Sequence, residues 1–178
     1  QPMVAVAFAK KGMEDAGIHN TTISIAEQRA SSDTVIYTAN QETVYAYCVT
    51  ELGDEPMVFT IAPMTLGFMA DAWQRPIEDL GLTGPDAGKG GEYIIIPPGY
   101  KGEIPKESKG VYVYQSPTKT VFWLQRAFVE GDQTEEDAVS ILKANSKIYP
   151  LSKKGQKVEQ HFVNQSVTPF FAVTKNEG

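Results

Sequence analysis

The sequence contains one cysteine and two histidines in 178 residues, and this scarcity excludes several kinds of site. A single thiol, Cys48, cannot form a disulfide within the chain or build a cysteine-based metal centre. It lies in the strand-like run 44–49, where we expect a buried, inert thiol. His19 and His161 are far apart in sequence, and no Gly-x-Ser-x-Gly elbow is present. We therefore predict no metal site and no cofactor.

Long apolar runs and an excess of positive charge are also missing. No run of about 18 apolar residues occurs, so no membrane-spanning helix is predicted. The formal net charge is −6 and the lysines are scattered, whereas nucleic-acid-binding domains present a concentrated basic face. We expect neither a nucleic-acid partner nor a membrane span. Because the chain begins and ends inside apolar segments, we expect a fragment of a longer protein.

What the sequence has in abundance is short segments that alternate between apolar and polar residues, which is typical of β-strands. The clearest are 21–25, 34–38, 43–49, 57–61, 66–73, 93–96, 111–114 and 120–128. Helical patterns occur only at the flanks, over 3–16 and 134–147, and Thr134 is a suitable N-cap for the second. The pattern predicts a mainly β protein, an antiparallel sandwich with flanking helices.

A glycine-rich stretch at 84–91 precedes the apolar run 93–96 and has only a superficial likeness to a phosphate-binding loop. No Ser or Thr follows Lys89, and the next element is a strand, so no helix N-terminus is available for a phosphate. We expect the glycines to serve turns, with at least one of Gly90 and Gly91 at positive φ, and Lys89 to be solvated.

Two segments, 40–45 and 71–75, carry more polar side chains than strand ends require. As a catalytic cluster, Glu42 or Asp71 would act as acid or base and Arg75 or Arg126 would steady an anion. The residues predicted to bind a ligand beside them are Asn40, Thr43, Tyr45, Trp73, Gln74, Trp123 and Arg126. The alternative is a structural hydrogen-bond cluster with aromatic core residues. Distance decides between them, since catalysis requires the three charged groups to converge on one pocket.

Several motifs, taken in order, resemble the mostly bacterial family of domain of unknown function 1254. They are Asn40-Gln41-Glu42-Thr43-Val44-Tyr45, Glu55-Pro56-Met57-Val58, Asp71-Ala72-Trp73, Gly88 through Gly102, Ser116-Pro117-Thr118, Arg126 and Tyr149-Pro150-Leu151. The family's Asn-x-Asp-Thr-Leu-Tyr has Glu42 here in place of Asp. The resemblance covers residues 1–151 and implies an immunoglobulin-like β-sandwich. It also implies that 152–178 is a linker or extended arm towards a second, jelly-roll-like domain of family 1214.

Two functions follow as hypotheses. The first is a non-catalytic module of a larger, exported bacterial protein, periplasmic or secreted, that binds a partner domain or a small ligand; a cytoplasmic location and a homo-oligomer stay open. It predicts an exposed apolar patch, which we expect around 158–178. The second is a hydrolase or lyase for a small hydrophobic molecule that uses the carboxylate and arginine cluster.

Overall fold

The computed structural model describes residues 2–15, 17, 19–30 and 40–166. These residues form two helices, ten strands and a short 3-10 turn at Leu151–Lys153. In chain order the elements are α1 (Pro2–Asp15), β1 (Ile23–Ala26), β2 (Thr43–Glu51), β3 (Met57–Ile61), β4 (Thr65–Asp71), β5 (Pro76–Gly81), β6 (Gly91–Ile96), β7 (Val111–Gln115), β8 (Thr120–Phe128), α2 (Glu135–Asn145), β9 (Lys147–Pro150) and β10 (Phe162–Asn164).

The strands build two sheets that face each other across a common apolar core. The larger sheet has the order β10-β1-β2-β8-β4-β5, and the smaller sheet has the order β7-β6-β3-β9. Phe59 from β3 and Trp123 from β8 meet edge to face with ring centroids 6.3 Å apart, so side chains of the two inner faces interlock. The predicted mainly β sandwich is confirmed, while an immunoglobulin-like strand order stays a prediction.

Alternation along β8 decides which of its side chains reach this core. The odd-numbered residues from Val121 to Ala127 are buried, and the even-numbered residues are half-buried. Because successive side chains of a strand point to opposite faces, the even-numbered residues lie on the outer face of the larger sheet. On β2 the same alternation places Val44, Ala46 and Cys48 in the core.

The two helices cover different parts of the sandwich. α1 packs on the outer face of the larger sheet, where Val6 and Met13 cluster with Tyr47 and Val49 of β2. α2 closes one end of the core, into which it buries Ala138, Val139 and Leu142.

Two hydrogen bonds at the start of α2 confirm the prediction that Thr134 is its N-cap. The hydroxyl of Thr134 accepts the backbone N–H of Asp137 at 3.2 Å, and the carboxylate of Asp137 accepts the backbone N–H of Thr134 at 2.9 Å. This reciprocal capping box satisfies donors that the first turn of a helix would leave free. The helix predicted over 134–147 is confirmed at 135–145.

A purely antiparallel arrangement was the wrong expectation, because two strand pairs are parallel. β10 runs parallel to β1 with Phe162 beside Ile23, and β7 runs parallel to β6 with Tyr112 beside Tyr93. Parallel neighbours need a long return connection rather than a tight hairpin. The segment 97–110, which contains a Pro-Pro-Gly turn, provides that return between β6 and β7.

The sequence pattern also misses β5, β9 and β10. β5 begins with a proline and contains Glu78 and Asp79, which is a composition suited to its place at a sheet edge. β9 follows α2 directly, so its four residues merge with the helical pattern. β10 falls within the predicted arm 152–178, and the division of the chain at 151 stays a prediction. The predicted strand 34–38 and the apolar run 167–173 lie outside the described residues.

Candidate functional site

The strand register divides the predicted site residues between the two ends of the larger sheet. Thr43 of β2 lies opposite Phe128, whereas Asp71 of β4 lies opposite Val121. Seven residues of β8 separate these positions, which corresponds to about 23 Å of strand. We call the end near Thr43 the helix end, because α2 follows there, and the end near Asp71 the turn end.

At the turn end, Asp71 and Arg75 close the hairpin between β4 and β5. Oδ2 of the fully buried Asp71 accepts Nε of Arg75 at 2.7 Å and Nη2 at 2.6 Å. Oδ1 accepts the backbone N–H groups of Trp73 at 2.8 Å and Arg75 at 2.9 Å. Gln74 adopts φ 58° at the tightest point of this turn. Both oxygens of this carboxylate therefore accept hydrogen bonds from residues of the turn, and these bonds fix the turn's conformation.

Burial of Asp71 acts to raise the pKa of its carboxyl group. The hydrogen bonds from the Arg75 side chain and from two backbone N–H groups outweigh that effect, so the pKa lies below its ordinary value. An acid or base catalyst at neutral pH needs the opposite shift, towards the working pH. The arrangement matches a structural anchor of the hairpin.

Glu42 lies at the helix end and is exposed. Its backbone N–H donates to Oδ1 of Asn40 at 2.7 Å, and its carbonyl oxygen accepts the N–H of Val129 at 2.9 Å. The segment thus forms a polar turn that leads into β2. The predicted convergence of Glu42 with Asp71 and Arg75 on one pocket does not occur, because the register separates the two ends of the sheet.

The two predicted tryptophans occupy contrasting places. Trp123 is fully buried and belongs to the core between the sheets. Trp73 sits in the β4–β5 turn and is 49% exposed. Neither lies beside Glu42 along the register of the larger sheet, so the aromatic lining expected for one shared pocket is not assembled.

Three other predicted residues, Thr43, Tyr45 and Arg126, do come together on the outer face at the helix end. Arg126 pairs directly with Tyr45 on one side and with Leu66 on the other. Thr43 lies two residues further along β2 and is 1% exposed, and its hydroxyl has no hydrogen-bond partner among the described residues. Tyr45 and Arg126 are half-buried and form part of a mostly apolar surface rather than a cleft, whereas Thr43 is buried beneath it.

A buried carboxylate that the sequence pattern did not single out organises the glycine-rich loop. Asp86 is 2% exposed; its Oδ1 accepts the N–H of Gly81 at 2.8 Å and the hydroxyl of Tyr93 at 2.5 Å. Its Oδ2 accepts the N–H of Gly90 at 3.0 Å. Gly90 has φ 75°, which confirms the expected positive φ. An aspartate among glycines is the sequence signal for such an anchor.

Two shallow grooves indent the surface. One, of about 350 Å³, lies between the Pro97–Gly102 segment and the pair of Lys119 with Asp54, whose charged atoms are 3.7 Å apart. The other, of about 200 Å³, lies beside α1 and is lined by Lys10 and Glu51 among others. Neither contains a predicted site residue. Over residues 2–15, 17, 19–30 and 40–166, no group of three acidic, histidine or cysteine side chains could hold a metal ion.

The exposed apolar side chains concentrate on another part of the surface. Along β4 and β8, the outward residues past the α1 contact form what we call the outer strip: the exposed Phe68 and the half-buried Leu66, Arg126 and Phe128. Phe122, at the edge of this strip, packs against the α1 cluster. Phe68 is 38% exposed, and its ring lies 5.7 Å from that of Phe122. Within the described part of the predicted arm, Phe162 packs against the core between the sheets and Val163 packs against the α1 cluster.

Comparison with known proteins gives a family and a fold. Residues 19–150 match the sequence profile of the family described as "Protein of unknown function (DUF1254)". The crystal structure of the VPA0106 protein from Vibrio parahaemolyticus is similar over 92% of this chain, with a TM-score of 0.65 and 15% identity. This chain spans 38% of the length of that protein's chain. No curated protein matches the sequence. Among the described residues, no helix is long and apolar enough to cross a membrane.

Proposed function

The chain belongs to the DUF1254 family, and on that premise we propose that it is a non-catalytic β-sandwich module whose outer strip docks the rest of a longer polypeptide. The observation that carries the proposal is the exposure of Phe68 on a continuous run of apolar residues across β4 and β8. Large exposed apolar patches on folded domains mark surfaces that another body covers.

Two loops at the helix end, before β4 and after β5, carry further exposed apolar side chains. Met64 is 64% exposed and Leu82 is 43% exposed. Backbone hydrogen bonds join their loops, from Leu82 N–H to the carbonyl of Thr65 at 2.8 Å and from Met64 N–H to that of Gly88 at 2.9 Å. With Phe68, they are three of the five large apolar side chains that are exposed in the described part of the chain. Their grouping on the β4–β5 side favours one interface over scattered exposure.

The occupant that we propose is a second domain of the same protein, the jelly-roll-like domain that the family resemblance implies. The similar Vibrio structure supports a longer polypeptide, because this fold accounts for 38% of that chain. The whole protein would be exported to the periplasm or secreted. The hydrolase or lyase alternative loses its geometric basis, since Glu42 lies at the opposite end of the sheet from Asp71 and Arg75.

Thiol labelling of a Phe68→Cys variant tests the proposal. The native Cys48 gives a low background, because burial raises the pKa of its thiol to about 12. We expect Phe68→Cys to react about tenfold more slowly, or slower still, in the full natural gene product than in the 178-residue chain. A tenfold difference corresponds to a free energy of docking of about 1.4 kcal/mol. Ile104→Cys, at a residue that is 59% exposed and outside the strip, is the control and should react equally in both. Equal rates for Phe68→Cys would contradict docking at this strip.

A further inference from the structure

Arg126 lies at the centre of the outer strip, and its immediate neighbours on this face are all apolar or aromatic. Across the sheet it lies between Tyr45 and Leu66. Along β8, the same face carries Leu124 on one side and Phe128 on the other. A guanidinium group in this setting has lost part of its hydration without gaining a charged neighbour from the strands around it.

The other arginines of the chain behave differently. The sequence has three, and Arg29 pairs with Glu135 at 2.6 Å while Arg75 pairs with Asp71 at 2.6 Å. Arg126 forms no ion pair and no hydrogen bond with any described residue, although acidic side chains outnumber basic ones in this protein. Within residues 2–15, 17, 19–30 and 40–166, the fold therefore contains carboxylates in excess but brings none of them into an ion pair with Arg126.

We propose that Arg126 binds a carboxylate of the docked domain, so that the interface consists of an apolar strip with one specific ion pair at its centre. This inference rests on the proposed docking function and adds the chemistry of the partner: an acidic side chain flanked by apolar residues. Covering the strip would remove the remaining water around the guanidinium, and a carboxylate acceptor would then compensate for the lost hydration. Arginine suits this role because its charge persists on burial and its planar donors fix the orientation of the acceptor.

The ion pair would also give the interface specificity. Apolar contacts with Phe68 and Leu66 tolerate many partners of similar shape, whereas an unpaired charge in a covered interface is strongly unfavourable. A partner without the matching carboxylate would leave Arg126 buried and uncompensated. The strip thus discriminates between its own domain and other apolar surfaces.

The labelling assay with Phe68→Cys separates this inference from the docking proposal. Arg126→Met keeps the length and apolar packing of the side chain but removes the charge. In the full natural product we expect Arg126→Met to raise the labelling rate of Phe68→Cys by about tenfold. The substitution leaves the carboxylate of the docked domain buried without its cation, which weakens docking. Arg126→Lys should lie between the two, and Lys109→Met, an exposed lysine outside the strip, should leave the rate unchanged.

Each outcome of this assay has one meaning. Slow labelling in the parent that becomes fast with Arg126→Met supports the ion pair. Slow labelling that persists with Arg126→Met overturns the ion pair and leaves apolar docking intact. Fast labelling already in the parent overturns docking and, with it, the role of Arg126. Unchanged melting temperature of the 178-residue variants verifies that the fold is preserved. If the methionine variant is unstable, a labelling rate with Arg126→Lys above that of the parent supports the ion pair, and an unchanged rate overturns it.

Discussion

Asp71 and Arg75 are four residues apart, and the carboxylate of one holds the guanidinium and the backbone N–H of the other across a hairpin turn. The side chain of Asp71 is fully buried, while that of Arg75 is 62% exposed. The pair fixes where β4 ends and β5 begins. The geometry of this pair matches the second of the two alternatives that the sequence leaves open, a structural hydrogen-bond cluster.

Replacing Asp71 should therefore destabilise the protein. Asp71→Ala leaves the backbone N–H groups of Trp73 and Arg75 without their acceptor, and we expect a loss of about 2–4 kcal/mol in the free energy of unfolding. Urea denaturation measures it. Asp54→Asn, which breaks the exposed pair with Lys119, should leave the free energy of unfolding nearly unchanged. Equal effects of the two substitutions would contradict the anchoring role.

The contribution of Asp71 should also depend on pH. Its pKa in the folded protein lies below the value of about 3.9 that an unfolded chain has, so folding favours the ionised form. The stabilisation is present above the unfolded pKa and is lost as the pH falls through the folded pKa. We expect the stability difference between the parent and Asp71→Asn to be constant from pH 7 to about pH 5 and to shrink below about pH 4. A difference that stays constant in acid would argue against an ionised anchor.

Gly90 should tolerate no side chain. It has φ 75°, and a Cβ atom there would lie 2.6 Å from the carbonyl oxygen of Ile61. Gly99 has φ 77° but open space around its Cβ position. Gly90→Ala should therefore lower the melting temperature more than Gly99→Ala, which carries only the backbone strain of about 1–2 kcal/mol. Gly90→Val should be more damaging still.

Lys89, beside this glycine, provides the matched neutral change. It is exposed, and we expect Lys89→Ala to leave the melting temperature unchanged. If Lys89→Ala abolished the binding of an anionic ligand, the interpretation of this loop as a purely structural one would be wrong. If Gly99→Ala and Gly90→Ala lowered the melting temperature equally, the close approach of Gly90 to the carbonyl oxygen of Ile61 would not constrain the loop.

Thr43→Val should stabilise the protein. The hydroxyl of Thr43 is buried and has no partner in the described part of the chain. Removing such a group at nearly constant shape relieves a desolvation cost, here expected to be about 1 kcal/mol. Thr50→Val is the contrasting change, because the hydroxyl of Thr50 donates to the carbonyl of Asn20 at 3.3 Å. It should cost about 1 kcal/mol. Denaturation midpoints of the two variants should move in opposite directions; a loss for Thr43→Val would disprove this reading of the site.

The sequence predicts the local features of this fold better than its long-range ones. The alternation of β8 and the N-cap at Thr134 depend on residues that are close together in the sequence, and both are confirmed. The parallel pairing of β10 with β1 joins segments about 140 positions apart, so no local pattern encodes it. The edge strand β5 has a polar, proline-led composition that local propensity assigns to a turn.

The candidate site shows the same division. Sequence reasoning selected Glu42 and Asp71 because both are acidic and flank aromatic strands, but only the register reveals that they lie at opposite ends of the sheet. It also grouped Tyr45 with Arg126, and these do meet, across the pairing of β2 and β8. The distance along the chain gives no sign of which pairs will be neighbours, since that depends on how strands align.

The docking of a further domain on the outer strip is tested most directly by a photo-crosslinker at Phe68. Phe68 is replaced by benzoylphenylalanine in the full natural gene product, with the same replacement at Ile104 as the control. The account predicts that Phe68 crosslinks within its own polypeptide to residues beyond position 178, near an acidic side chain, and that Ile104 does not. Crosslinks to a second copy, or the absence of any crosslink beyond position 178, would contradict it; a local crosslink to Phe122, whose ring lies 5.7 Å away, is expected in either case.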